Sequence, residues 1–496
     1  MRKELIGQLT EYAAGDAYPF HMPGHKRNPE SGPLSALYQV DITEIDGFDN
    51  LHQPQEILLS AQKEAALLYG SRETYFLING STCGILSAVS AISHRGKILL
   101  MARNCHKAVY HAAFLNRLET EYIYPRQTGK GLTAGISARE VEELLLEIAA
   151  RKQILPEELC NMVAGIVITS PTYDGISSDV KNIVFVAHRY GIPVIVDQAH
   201  GAHFGFHPAF PESAVKEGAD LVIHSVHKTL PAPTQTALLH RNGDLTDGEL
   251  VRKYLRIYQS SSPSYPLMAG IDSCMKLVRE EGKERLGNLL QMREAFLQKI
   301  EGLTHNEVET QLPEAGKLPI FVKNQLMTGQ EFYDILRNDY HLQMEMCGSD
   351  YVLAILTMMD REEGFDRLSA ALWEIDESLS RIADGRKLPL KAQSGKDASY
   401  PVLPDRRPEV FLPLYQAYTK EGKAVSFREA EGLVAAEFVN LYPPGIPILV
   451  PGEIISEDIL YVIGQYIKNG YNVQGIENNK IKVVRLPEEG EHYEKD

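Results

Sequence analysis

The chain of 496 residues carries 50 Lys and Arg against 66 Asp and Glu, a formal net charge of −16, with 44% hydrophobic and 23% charged residues. That length exceeds one compact core, and the composition excludes wholesale disorder. The acidic balance argues against a nucleic-acid partner, which needs clustered Lys and Arg, and five cysteines without C-x-x-C spacing argue against a structural metal site or a disulfide framework.

Residues 1–50, rich in Pro, Gly and His, read as an N-terminal arm. The arm has no continuous apolar core of the secretory type, and no run in the chain approaches the ~20 apolar residues that span a bilayer. A cytoplasmic location without a membrane partner is expected. Over 51–262, short apolar runs alternate with helical stretches, the pattern of a mostly parallel α/β sheet. Strands are predicted at 74–78, 97–101, 120–124, 165–169, 193–196, 220–224 and 235–240. They are continuous Val/Ile/Leu runs, because both faces of such a sheet are covered. Helices are predicted at 82–93, 107–118, 138–150 and 181–190. Beyond Pro263, helical patterns at 269–300 and 366–383 flank short strands at 318–321 and 351–356, a smaller α+β domain over 263–390. The aperiodic stretch LKAQSGKDASYPVL (390–403) reads as a linker, and a last domain occupies 391–496, ending in the polar tail GEHYEKD.

Open α/β sheets bind ligands beyond the carboxyl ends of their strands. The residues there form a series: Gly80-Ser81-Thr82, Asn104-Cys105-His106, Pro171-Thr172-Tyr173, Asp197-Gln198-Ala199-His200 and Ser225-Val226-His227-Lys228. Gly80-Ser81-Thr82 opens a helix whose free N–H groups suit a phosphate; a plain helix cap is the alternative. Asp197 ends the run IPVIVD, where a carboxylate can hold a metal, a ribose hydroxyl or a protonated ring nitrogen. Lys228 follows a buried run, where desolvation favours the neutral, nucleophilic amine, unless it is an exposed loop lysine. His106 is placed either to stack on an aromatic cofactor or to serve as a structural histidine. A phosphate cradle, a strand-end Asp and, 31 residues later, a strand-end Lys are together the three parts that pyridoxal 5′-phosphate requires. The amine forms a Schiff base, the carboxylate keeps the pyridine nitrogen protonated, and the helix N-terminus holds the phosphate.

The motifs HMPGHKR (21–27), RNCHK (103–107), PTYDG (171–175), DQAHG (197–201), SVHK (225–228) and YPPGIPILVPGE (442–453) together resemble the bacterial ornithine/lysine/arginine decarboxylase family, over nearly the whole chain. The resemblance implies the aspartate-aminotransferase-like fold, fold type I, with a mostly parallel seven-stranded sheet, a smaller α+β domain and a C-terminal α+β decarboxylase domain. It also implies roles. Lys228 would carry the cofactor, Asp197 would pair with its ring nitrogen, His106 would stack on one ring face and Ala199 on the other. Gly80, Ser81, Thr82, Ser225 and His227 would surround the phosphate. Ser261, within Ser260-Ser261-Ser262, would mark where the second subunit of a homodimer reaches the phosphate. Two departures stand out: Gln198 replaces a Glu found in many relatives, and the chain begins at the arm without the wing domain of larger relatives.

The expected reaction is α-decarboxylation of a basic L-amino acid, arginine or lysine ahead of ornithine, in polyamine synthesis or acid consumption. Lys228 or His227 would return the proton to Cα, and no metal takes part. A cationic side chain needs an acidic distal pocket, for which Glu453, Asp46 and Asp49 are the candidates. The alternatives are an aminotransferase or carbon–sulfur lyase on the same fold, or a catalytically silent regulator. A nucleotide-binding oxidoreductase is disfavoured, because no G-x-G-x-x-G follows an early strand.

Overall fold

The computed structural model describes residues 4–383, 407–442, 445–468 and 470–485. The expected linker at 390–403, the domain boundary within it and the polar tail lie outside these residues. Seven strands form the main sheet: β1 (Glu73–Leu77), β2 (Ile98–Ala102), β3 (Glu119–Ile123), β4 (Val163–Thr169), β5 (Val194–Asp197), β6 (Leu221–Ser225) and β7 (Ala237–Arg241). Their spatial order is β1-β7-β6-β5-β4-β2-β3. β2 to β6 run parallel, while β7 is antiparallel to both β6 and β1. Every residue of β2, β5, β6 and β7 is buried, as their uninterrupted apolar runs require when helices cover both faces.

The arm is less extended than its composition implies. Its helix Leu5–Ala14 packs on the 35-residue helix Tyr265–Lys299, with Leu5 and Leu9 fully buried and the Leu5 N–H donating to Asp272 Oδ2 at 2.9 Å. Beyond the main sheet, β8 (Asn306–Val308), β9 (Lys317–Val322), β10 (Met346–Cys347) and β11 (Tyr351–Ile355) form an antiparallel sheet in the order β10-β11-β9-β8. The helix Glu362–Ala383 presents Phe365, Leu368, Leu372, Ile375 and Leu379 to the core at helical spacing.

The C-terminal segment adds β12 (Gly422–Ser426), β13 (Val439–Leu441), β14 (Ile446–Leu449), β15 (Val473–Gln474) and β16 (Lys480–Val484). β12 pairs with β16, and β14-β13-β15 form a three-stranded sheet. The helix Glu457–Lys468 packs its apolar face, Ile459, Val462, Ile463 and Tyr466, into the small core of this segment. These units meet at the carboxyl ends of the parallel strands.

Candidate active site

A cavity of about 970 Å³ opens at that edge, walled by the ends of the main-sheet strands, by residues around β10 and β11, and by residues of β13 and β14. Its floor is the series of strand-end residues. The helix Gly80–Ile92 starts there, and Ser81 Oγ lies 2.6 Å from Ser225 Oγ, joining the helix start to the end of β6. Asp197 closes β5 almost fully buried, and its Oδ1 accepts the Ala199 N–H at 3.1 Å. Burial raises its carboxyl above the usual range, with the Lys228 charge acting in the opposite direction. Lys228 sits in the short helix Val226–Thr229, where burial lowers its ammonium against the pull of Asp197 and Glu345. His227 Nδ1 donates to the Thr236 carbonyl at 2.9 Å.

His106 caps the helix Lys107–Leu115, its Nδ1 accepting the Ala108 N–H at 3.2 Å. That bond leaves the ring proton on Nε2. Burial, reinforced by Lys228 and Lys107, pushes His106 down to about 4, so the ring is neutral near pH 7. The C-terminal segment reaches the same ring through Gly445. Its φ is +85°, and a Cβ there would lie 3.4 Å from the imidazole, so this approach suits glycine. Gly445 is thus where the YPPGIPILVPGE motif meets His106.

The cavity brings together Gly80, Ser81, Thr82, His106, Asp197, Ala199, Ser225, His227 and Lys228. Four expected site residues lie elsewhere. Glu453 is fully buried in an ion pair with Arg103, whose Nη2 donates to both its oxygens at 3.2 and 3.3 Å; the carboxylate is consumed by a guanidinium and not presented to the cavity. Asp49 caps the helix Ile57–Tyr69, accepting the N–H groups of Gln55, Glu56 and Leu58. Asp46 is exposed on the arm. Ser261 is exposed and outside the cavity lining, although its neighbour Ser260 donates its N–H to Asn79 Oδ1 at 3.0 Å, next to the start of the helix Gly80–Ile92.

Sequence reasoning assigned no role to several residues that line the cavity or stand directly behind it. Tyr173 donates to Glu345, and Asp174 accepts from the Tyr351 hydroxyl at 2.7 Å and the Thr133 N–H at 3.2 Å. His200, the fourth residue of DQAHG, lies between two lysines: its Nε2 is 2.9 Å from Lys228 Nζ and its Nδ1 is 2.9 Å from Lys317 Nζ. A histidine three residues after the strand-end Asp was the available signal for His200. Lys317 and Glu345 come from another sheet and carry no sequence signal.

A family profile described as Orn/Lys/Arg decarboxylase, major domain, matches residues 4–348, and one described as Orn/Lys/Arg decarboxylase, C-terminal domain, matches residues 411–474. A Bacillus subtilis protein named only as uncharacterized protein YaaO is 34% identical, over 98% of each chain. The Bacillus subtilis arginine decarboxylase is 30% identical, again over 98% of each chain. Among solved structures, the lysine decarboxylase of Francisella novicida superposes with a TM-score of 0.84 at 21% identity, covering 98% of this chain and 81% of that one.

Proposed function

The chain belongs to the Orn/Lys/Arg decarboxylase family, and from that premise we propose that it uses pyridoxal 5′-phosphate to remove the α-carboxyl group of a basic L-amino acid, arginine or lysine ahead of ornithine. The observation that carries the cofactor assignment is the convergence of Lys228, Asp197, His106 and the start of the helix Gly80–Ile92 on one cavity. The donor set fits the group. Ser81, Ser225 and the helix N–H groups suit a phosphate, and the buried Asp197 carboxylate, bonded to one backbone N–H, suits a protonated ring nitrogen. His106 and the small Ala199 both line that cavity, where the two would face a flat ring. Four full-length or nearly full-length relatives carry the name arginine decarboxylase, which supports arginine as the first substrate to test.

When bound, the cofactor supplies the electron sink for the electrons left at Cα as carbon dioxide departs. The chain's own residues do the rest. Asp197 holds a positive ring nitrogen, His106 fixes the ring plane as a neutral imidazole, and Lys228 or His227 returns a proton to Cα. The carboxylates lining the cavity, among the described residues, are Asp174, Asp197 and Glu345. Asp197 serves the ring and Asp174 is occupied by Tyr351 and Thr133. Glu345, held by the Tyr173 hydroxyl at the rim, is therefore the proposed acceptor for the cationic end of the substrate. This role replaces the one expected of Glu453, Asp46 and Asp49.

A homodimer with shared sites is part of the same proposal. Tyr18, Phe20 and Met22 on the arm are 70%, 89% and 65% exposed, a run of apolar side chains suited to covering by a second subunit. The test is carbon dioxide release from L-arginine, L-lysine and L-ornithine by purified, cofactor-loaded protein. Release from a basic amino acid, with KM raised at least tenfold by Glu345→Gln, supports the proposal. Turnover only with a keto acid present, or no release from any of the three, overturns it in favour of the aminotransferase or silent-regulator alternatives.

A further inference from the structure

Lys317 opens β9, in a different sheet from Lys228, and it is buried, with 1% of its surface exposed. A lysine in such a place calls for a compensating charge or a function. Its bonded partner is an imidazole: Lys317 Nζ lies 2.9 Å from His200 Nδ1, and His200 Nε2 lies 2.9 Å from Lys228 Nζ. His200 lines the cavity, so the line Lys317–His200–Lys228 joins the reacting edge to the interior.

The two contacts are equal in length, and the line has no built-in direction. A neutral imidazole accepts a proton at one nitrogen and releases one from the other. Transfer along the line therefore moves a proton from either lysine to the other and leaves His200 neutral, with its tautomer reversed. Burial, with Lys317 and Lys228 alongside, keeps His200 far below the ordinary imidazole value, so no charge rests on the ring itself.

Both ends of the line can hold a proton. Asp197 and Glu345 act to keep one on Lys228, and Glu314, Glu345 and Asp174 act to keep one on Lys317. Both ends can also release it, since burial lowers each ammonium, Lys317 to about 8 with the Lys228 charge contributing. His106 and His227 complete the titratable groups acting on His200, and the Tyr173 ring stands edge-on to it, centroids 4.6 Å apart. Neither other imidazole offers this route. His106 Nδ1 accepts the Ala108 N–H, and His227 Nδ1 donates to a backbone carbonyl, which has no proton to exchange.

Decarboxylation places one proton on Cα for each carbon dioxide released. The substrate brings a proton, because its α-ammonium must lose one before the nitrogen can bond to carbon. At that moment the Lys228 nitrogen is itself bonded to the cofactor and cannot take the proton as an ammonium. We propose that Lys317 stores this proton, loaded and unloaded through His200. On loading, the substrate ammonium gives a proton to His200 Nε2, and His200 Nδ1 gives one to the Lys317 amine. Unloading follows once Lys228 is released as a free amine. Lys317 gives its proton to Nδ1, Nε2 gives one to Lys228, and the Lys228 ammonium gives one to Cα. Lys317 and His200 end as they began. The inference rests on the proposed function, with Lys228 as the cofactor lysine.

The first experiment follows protons. Cofactor-loaded, full-length protein is mixed, in weakly buffered medium with a pH indicator, with the product amine of its substrate, which carries an ammonium but no carboxyl group. The amine is added until the visible band stops changing. Wild type should keep the proton, with no rapid acidification. Lys317→Met should release protons equal in amount to the sites filled. So should Lys317→Arg, whose guanidinium is always charged and cannot take one up. Rapid acidification by the wild type overturns the inference, and this arm stands even if the variants fail to fold. Folded variants that keep the proton as wild type does also overturn it.

The second experiment reads turnover. The kcat for carbon dioxide release should fall about 100-fold in Lys317→Met, Lys317→Arg and His200→Gln, with KM near the wild-type value. His200→Gln keeps hydrogen-bonding groups between the lysines but passes no proton. A purely structural or electrostatic role for Lys317 predicts rescue by arginine, so wild-type kcat in Lys317→Arg overturns the inference. Separately, adding pyridoxal 5′-phosphate to the wild type should produce a visible absorption band that Lys228→Ala lacks. If Lys228→Ala keeps the band, or the wild type releases no carbon dioxide, the proposed function falls and the inference with it. If both hold but Lys317→Arg turns over like the wild type, only the role of Lys317 falls.

Discussion

Replacing Glu453 by Leu isolates a cost that the structure makes calculable in order of magnitude. Arg103 has a side chain 10% exposed and Glu453 one 1% exposed, so the pair lies in a low-dielectric interior. Arg103 also donates to the Pro447 and Ile448 carbonyls at 2.6 and 3.2 Å, and Glu453 Oε2 accepts the Val450 N–H at 2.8 Å. Without Glu453, the guanidinium stays charged, because it cannot release its proton at any accessible pH. The expected loss is about 3–5 kcal/mol, the cost of an uncompensated buried charge. Arg103→Leu is the informative contrast. It leaves a carboxyl that burial already pushes up despite Arg103, and that group can take a proton. A carboxyl raised in the folded state contributes its stability below its unfolded value and loses it as pH rises, so the deficit of Arg103→Leu shrinks on acidification. The double replacement, which leaves no charge behind, should recover most of either single loss. Urea unfolding followed by circular dichroism, at pH 7.5 and pH 5, measures all three variants. A Glu453→Leu loss below about 1 kcal/mol, or simple additivity of the two single changes, refutes the buried-pair account.

His106 at about 4 and His240 at about 3 both lie below their unfolded values, so their stability is present above pH ~6.5 and lost as pH falls toward those values; His106→Asn, which keeps the helix cap, should flatten the melting temperature between pH 6.5 and 4. Burial and the neighbouring Glu212 raise Glu217 to about 7, so its contribution is lost as pH rises through that value. Glu217→Gln should then raise the melting temperature at pH 8 by the equivalent of about 1 kcal/mol and leave it unchanged at pH 4.5, as differential scanning fluorimetry would record. Gly175 has a φ of +99°, and a Cβ there would lie 2.7 Å from the Lys317 side chain. Gly175→Ala should cost about 1–3 kcal/mol in thermal unfolding.

The parallel strands were legible because burial on both faces leaves unbroken apolar runs, and their ends then mark where ligands bind. Reading beyond those ends found Lys228, Asp197 and His106, which the fold gathers on one cavity. The short strands Asn306–Val308 and Met346–Cys347 were missed, since two or three residues give no period to detect. The distal carboxylates lie away from the cavity for a different reason. A carboxylate next to a conspicuous motif looks available, but folding had already committed Glu453 to a guanidinium and Asp49 to backbone N–H groups. Lys317 and Glu345 were invisible because nothing local distinguishes them; only the packing of a second sheet over the strand ends brings Lys317 to His200, 117 residues away in sequence.

Arg103 and Glu453 are separated by 350 residues, which gives the closing of this cavity a place in time. A ribosome that has just polymerised Lys228 must add 225 more residues before Glu453 exists. At about 5–20 residues per second this takes about 10–45 s. During that interval the strand ends around Lys228 lack the wall that the C-terminal segment supplies. Arrival of Gly445 at His106 then closes a side that the nascent chain lacked. The wall over Lys228 is thus the last part of the cavity to be synthesised.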